Sequence, residues 1–128
     1  MAARTWAGPW QHQPAGKQAL ARDWAKALTP FDPDGTGRPE LQLHLRRHLE
    51  TLHDAVLAEP PDTVAAAQVG AALVERGLVD PEALAVTVAV LGDRLLAELG
   101  LDETTFRGPL HRLLGAIAAG YARALSTR

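Results

Sequence analysis

The sequence predicts an all-α fold, a single-domain bundle of about five helices with antiparallel neighbours. Two observations carry this. The 128 residues include 24 Ala and 20 Leu against one Ile, eight Val, two Phe and one Tyr, a composition rich in helix formers and poor in what sheets prefer. Apolar residues also recur at three- and four-residue spacing between breaks made of Pro, Gly and Asp. The length suits one core and not two. With 47% hydrophobic and only 5% aromatic residues, that core must be Leu and Ala packed closely.

Residues 1–16, with Trp6, Trp10, two Pro and two Gly, show no period that would make a face and are expected to be a flexible arm. The bundle domain is expected over 17–128. The first helix, near 17–28, places Leu20, Trp24 and Leu28 four residues apart on one stripe, with Trp24 as anchor. Thr29 to Gly37 carries two Pro and two Gly and reads as a loop. Pro39 suits a first helical turn, and Leu41, Leu45, Leu49, Leu52 and Val56 share one face of a second helix near 39–59, stopped by Pro60 and Pro61.

Asp62 is placed to cap a third helix, 62–76, whose surface from Val64 to Val74 is almost continuously small and apolar. Such a helix can approach its neighbours closely. Two junctions then repeat one device, Gly77-Leu78-Val79-Asp80 and Gly100-Leu101-Asp102. In each, Gly closes a helix in the left-handed conformation, Leu packs back, and Asp caps the next helix. Between them the fourth helix, 80–99, is apolar on two sides, with Leu84, Val88, Leu91, Leu95 and Leu99 on one and Val86 and Val90 on the other. That pattern predicts a central position.

The last helix, 102–126, starts near Asp102 or after Pro109 and carries Leu110, Leu113, Leu114, Ile117, Tyr121 and Leu125 on one face. Nothing like Gly or Pro terminates it, so it is expected to continue beyond Arg128. Ala116 and Gly120, with Gly115 and Ala119 one step round, permit close approach of another helix, either inside the bundle or in self-association.

Charge is nearly balanced, 13 basic against 15 acidic side chains, which argues against nucleic acid and anionic membrane as partners. No apolar run approaches the ~20 residues of a membrane span. The absence of Cys excludes disulfides and thiolate chemistry, and a cytoplasmic location is expected. No Ser, His and acid combination or phosphate-binding Gly loop appears, and the chain is not expected to be an enzyme.

His44 and His48 have the spacing that lets two imidazoles meet one metal or haem. No third ligand is evident, and Arg46 and Arg47 between them oppose a cation, so solvated or edge-of-core histidines are the expectation and no cofactor is assigned. His111 is expected to be partly buried. Asp32, Asp34, Thr36 and Gly37 imitate the start of a calcium loop, but Leu43 stands where a bidentate Glu is needed, leaving a turn rich in Asp. Arg22-Asp23 and Asp93-Arg94 read as ordinary helix charges.

The series Val69-Gly-Ala-Ala-Leu-Val74, Gly77-Leu-Val-Asp-Pro-Glu-Ala-Leu84, Val90-Leu-Gly-Asp-Arg-Leu-Leu96 and Leu113-Leu-Gly-Ala-Ile-Ala-Ala-Gly-Tyr-Ala-Arg-Ala-Leu125 resembles the helical N-terminal region of actinobacterial multidomain signalling proteins. There such a segment precedes PAS, GGDEF and EAL domains that sense, make and hydrolyse cyclic di-GMP. The resemblance covers about Ala19 to Leu125 and includes no catalytic signature. It implies a non-catalytic sensory or regulatory input module. Its partners would be the downstream catalytic or PAS-type domains of the same polypeptide, reached through the last helix, with a homodimer as a further partner.

Three forms of input remain open. A small apolar ligand would occupy an enclosed pocket near Trp24, His48, Leu52 and Leu95. A protein-interaction or dimerisation module would instead show a filled core and an exposed stripe at Leu114, Ile117, Tyr121 and Leu125. A globin-like haem sensor would use one of the five histidines.

Overall fold

The computed structural model describes residues 16–33 and 38–128. Every regular element among them is helical: α1 over 16–28, a 3-10 turn Thr29–Phe31, α2 Arg38–Leu57, α3 Thr63–Glu75, α4 Pro81–Leu99 and α5 Glu103–Ser126. The expected five-helix bundle is what the chain forms. The arm over 1–15, including Trp6 and Trp10, and the loop residues Asp34 to Gly37 lie outside the described residues. Gly16, assigned by sequence to the arm, is the first residue of α1. A Cβ there would meet the Glu98 carbonyl oxygen at 2.6 Å.

The helix boundaries follow from local chemistry. Asp62 accepts from the Ala65 amide at 3.0 Å, Asp80 from Glu82 at 2.9 Å and Asp102 from Thr105 at 2.8 Å, so all three N-caps use a carboxylate against free amides. Gly77 and Gly100 have φ of 100° and 72°. Around them the same pair of bonds closes each helix: Gly77 to Val74 and Leu78 to Leu73, then Gly100 to Ala97 and Leu101 to Leu96. This is the Schellman arrangement, and Leu78 following the first turn is fully buried. The Glu59–Pro60 peptide between α2 and α3 is cis.

α5 begins at Asp102 and carries Pro109 in its interior. Pro109 has no amide to donate to the Thr105 carbonyl, one helical bond fewer in the second turn. At its other end, Ser126 Oγ and Thr127 Oγ1 donate to the carbonyls of Arg123 and Ala124, both at 3.0 Å. These side chains satisfy final-turn carbonyls that the sequence reading left without a terminator.

The predicted stripes of α1 and α2 are core, and that of α4 is so from Leu91 on, with Ala83 and Thr87 buried in place of Leu84 and Val88. Leu20, Trp24 and Leu28 of α1 and Leu41, Leu45, Leu49, Leu52 and Val56 of α2 are all buried. In α4 the buried line is Ala83, Thr87, Leu91, Leu95 and Leu99, while Val86, Val88 and Val90 are only partly covered. α1 and α4 run antiparallel, since Gly16 abuts Glu98 while Asp23 and Trp24 reach back to Arg94 and Thr87. α2 and α3 form an antiparallel pair, with Glu40 near Arg76 at one end and Ala55 bonded to Asp62 at the other.

Among α2 to α5, α5 packs on α2, α3 and α4. α4, expected to be central, lies between α5 and α1, and the closest approach of two helices is that of α5 to α3. The reason is side-chain size. At the α3–α5 contact, a Cβ on Gly70 would overlap the carbonyl oxygen of Ile117, and one on Gly120 the carbonyl oxygen of Ala67. At each point a glycine of one helix lets the backbone of the other come into direct contact.

Candidate functional site

The expected pocket residues separate into two places. Trp24, Leu52 and Leu95 are core side chains with almost no exposure, and they line none of the three surface clefts considered below. Trp24 Nε1 donates to Thr87 Oγ1 at 3.0 Å, so its polar edge is satisfied by a buried hydroxyl of α4 rather than offered to a ligand. Where an enclosed pocket is predicted, Trp24 of α1, Leu52 of α2 and Leu95 of α4 are each closed off as core side chains. His48, the fourth of the set, faces elsewhere.

His48 lies with His44, Leu41 and Leu45 on one wall of an open cleft of about 280 Å³, whose other wall is Ala72, Leu73, Glu75 and Arg76. Burial, and secondarily the charge of His44, push the His48 imidazole down to about 4, so it is neutral at physiological pH. Nε and Nη2 of Arg76 are buried and have no hydrogen-bond partner among the described residues. The nearest carboxylate is Glu40, with Oε1 3.9 Å from Nη2, an ion pair beyond hydrogen-bond reach. No three His, Asp or Glu side chains among the described residues are grouped to hold a metal. His111 is exposed on α5 and not partly buried as expected.

The expected exposed stripe on the last helix does not form. Ile117 and Tyr121 are fully buried, while Leu114 and Leu125 are partly buried against the same core. The close approach of Gly70 to the Ile117 backbone, and of Gly120 to that of Ala67, draws this face of α5 inward. Tyr121 adds a polar clasp: its hydroxyl lies 2.7 Å from the Leu78 carbonyl and 3.0 Å from that of Asp80. Burial and the neighbouring Asp80 raise its ionisation above the ordinary phenol range. Arg128 reaches the Val74 carbonyl at 3.3 Å, so the end of α5 is tied to the end of α3.

What remains open on this side is a groove of about 520 Å³ between α3 and α5, lined by Val64, Ala67, Ala71, Ala116, Ala119 and Arg123 among others. Val64 is 68% exposed. A smaller cleft lies between α1 and α2 at Gln18, Ala21, Gln42, Leu43 and Arg46.

Sequence reasoning passed over one ionic cluster. Arg94 donates to Asp23 at 2.6 Å and to Glu98 at 2.9 Å, linking α1 to α4, and the Arg94 hydrogen bond holds Asp23 below its usual range. Read as neighbours in sequence, Arg22-Asp23 and Asp93-Arg94 gave no sign of this. The available signal was that Asp23 stands one position before Trp24 and so borders whatever helix the Leu20–Trp24 stripe meets.

The fold thus defines a small all-α bundle, none of whose described helices is long and apolar enough to cross a membrane. In comparisons with family models, curated proteins and solved structures, nothing matches the chain.

Proposed function

We propose that this chain is a non-catalytic regulatory module whose output element is α5, acting in cyclic di-GMP signalling as the sequence resemblance implies. The observation that carries the reading is the way α5 is held. It meets α3 backbone to backbone at Gly70 and Gly120, and Tyr121 clasps the α3–α4 turn. Glycine alone fits at those two points, so α3 and α5 hold one register, and a second position of α5 requires that contact and the Tyr121 clasp to be released together, which makes the choice between positions a discrete one. Binding elsewhere on the bundle that favours a second position would be passed along α5 to an attached domain or to a partner protomer.

The test is to join the chain through Arg128, in each of several helical phases, to a diguanylate cyclase reporter and measure cyclic di-GMP formed. Output should depend on phase and change with Tyr121→Phe, which keeps the ring and removes the clasp. Identical output from every phase and from Tyr121→Phe would sink the relay.

A second reading, a protein-interaction or dimerisation module, is favoured by the apolar α3–α5 groove with exposed Val64 at its edge. Sedimentation separates it: a concentration-dependent dimer abolished by Val64→Glu supports it, and a monomer at every concentration removes the homodimer.

A further inference from the structure

We propose that the outer face of α4 docks in the α3–α5 groove of a second copy of the chain, with Asp93 of one copy set against Arg123 of the other. This contact presupposes the dimerisation reading and names what fills the groove. α4 is apolar on two sides, and the fold uses one of them. Leu91, Leu95 and Leu99 are buried in the core. On the outer side, the exposed residues between Ala83 and Glu98 are Ala85, Ala89, Gly92, Asp93 and Ala97, while Val86 and Val90 are only partly covered. A helix face turned to water ordinarily carries charged and polar side chains, and this one carries a single charge. Such a continuous small-apolar face is suited to being covered.

The α3–α5 groove has the matching shape and charge. Its lining is mostly small, with Ala67 and Ala71 from α3 and Ala116 and Ala119 from α5, so a helix whose own ridge is alanine can settle there at close range. Val64, the most exposed large apolar side chain among the described residues, stands in the α3 wall. Arg123, in the α5 wall, is the only charged residue of the lining. No ion pair or hydrogen bond engages the side chain of Arg123 or of Asp93 among the described residues. The spacings agree as well: Ala85 to Asp93 spans roughly 12 Å of helix, and Ala116 to Arg123 roughly 10 Å. Laid parallel to α5, α4 of the second copy sets its Ala85 and Ala89 against Ala116 and Ala119, and its Asp93 beside Arg123. Two outer faces of α4 meeting each other would bring only acids together, Glu82 and Asp93. Charge therefore selects the groove over a second α4 as the partner surface.

Sedimentation of the full chain over a concentration series tests the contact, with circular dichroism melting to show that each variant folds. Asp93→Arg and Arg123→Asp, both at exposed positions, should each weaken self-association about tenfold or more. An equimolar mixture of the two should restore it, since each variant supplies the charge that the other needs. Ala89→Lys, outside the groove, should weaken association to a similar extent. A wild-type monomer at every concentration would overturn this contact together with the dimerisation reading. A wild-type dimer lost with Val64→Glu but unmoved by Ala89→Lys, or no recovery in the mixture, would overturn the α4 contact alone and leave the groove to another occupant.

Discussion

Trp24 and Thr87, 63 positions apart, complete each other's hydrogen bonding in the interior. Thr87 is a buried polar residue in a core of Leu and Ala, and it is tolerated because the indole N–H needs an acceptor there. Thr87→Val, close in shape but without the oxygen, should cost about 1–3 kcal/mol by stranding that N–H, read as a lower urea midpoint with unchanged slope. Leu95→Ala, at a site only 1% exposed, should cost about 2–5 kcal/mol. His44→Ala should change stability by no more than about 0.5 kcal/mol, since the ring is half-exposed and packs at the lip of a cleft. A large loss from His44→Ala would mean that the cleft wall is structural.

Among the elements, α5 shows how one substitution changes sign along a single helix. Gly120→Ala drives a methyl into the Ala67 backbone, which can retreat only if α3 and α5 separate, and it should destabilise by about 1–3 kcal/mol or more. Gly115→Ala, five residues earlier with nothing within 4 Å of the new carbon, should stabilise by up to about 1 kcal/mol through helix propensity alone. Thermal unfolding of the two variants side by side checks both, and equal shifts would mean that α3 and α5 do not meet as closely as described. The caps and Schellman turns explain why these helices begin and end where they do. Gly70 against the Ile117 backbone and Gly120 against that of Ala67 explain why α5 lies closest to α3.

For the whole molecule, His48 builds in sensitivity to acid. Its folded imidazole titrates near 4 and an unfolded one near 6.5, so between those values the unfolded chain binds the extra proton. Stability is unaffected by His48 above about pH 6.5 and falls as pH drops from there to 4, by about 3 kcal/mol in total. Urea midpoints in chloride buffer should fall across that window, and His48→Leu should flatten the fall. An unchanged slope in His48→Leu would place the acid sensitivity elsewhere.

How far the sequence discloses this molecule depends on range. Caps at Asp62, Asp80 and Asp102, turns at Gly77 and Gly100, and the Leu stripes act within about five residues, and all are legible in the chain. The approach of Gly70 to Ile117 and of Gly120 to Ala67, the Tyr121 clasp and the Arg94–Asp23 bridge join positions far apart. Periodicity shows that a face is buried and not which face it meets. That is why Ile117 and Tyr121 read as a surface stripe and Trp24 and Leu95 as a pocket wall.

The chain has a single tyrosine, and it is the one whose hydroxyl clasps the α3–α4 turn. The molecule therefore carries its own optical gauge. Alkali should leave that phenol un-ionised while α5 is seated and ionise it when the clasp opens, so phenolate absorbance as pH rises would time the release of one helix without any attached label.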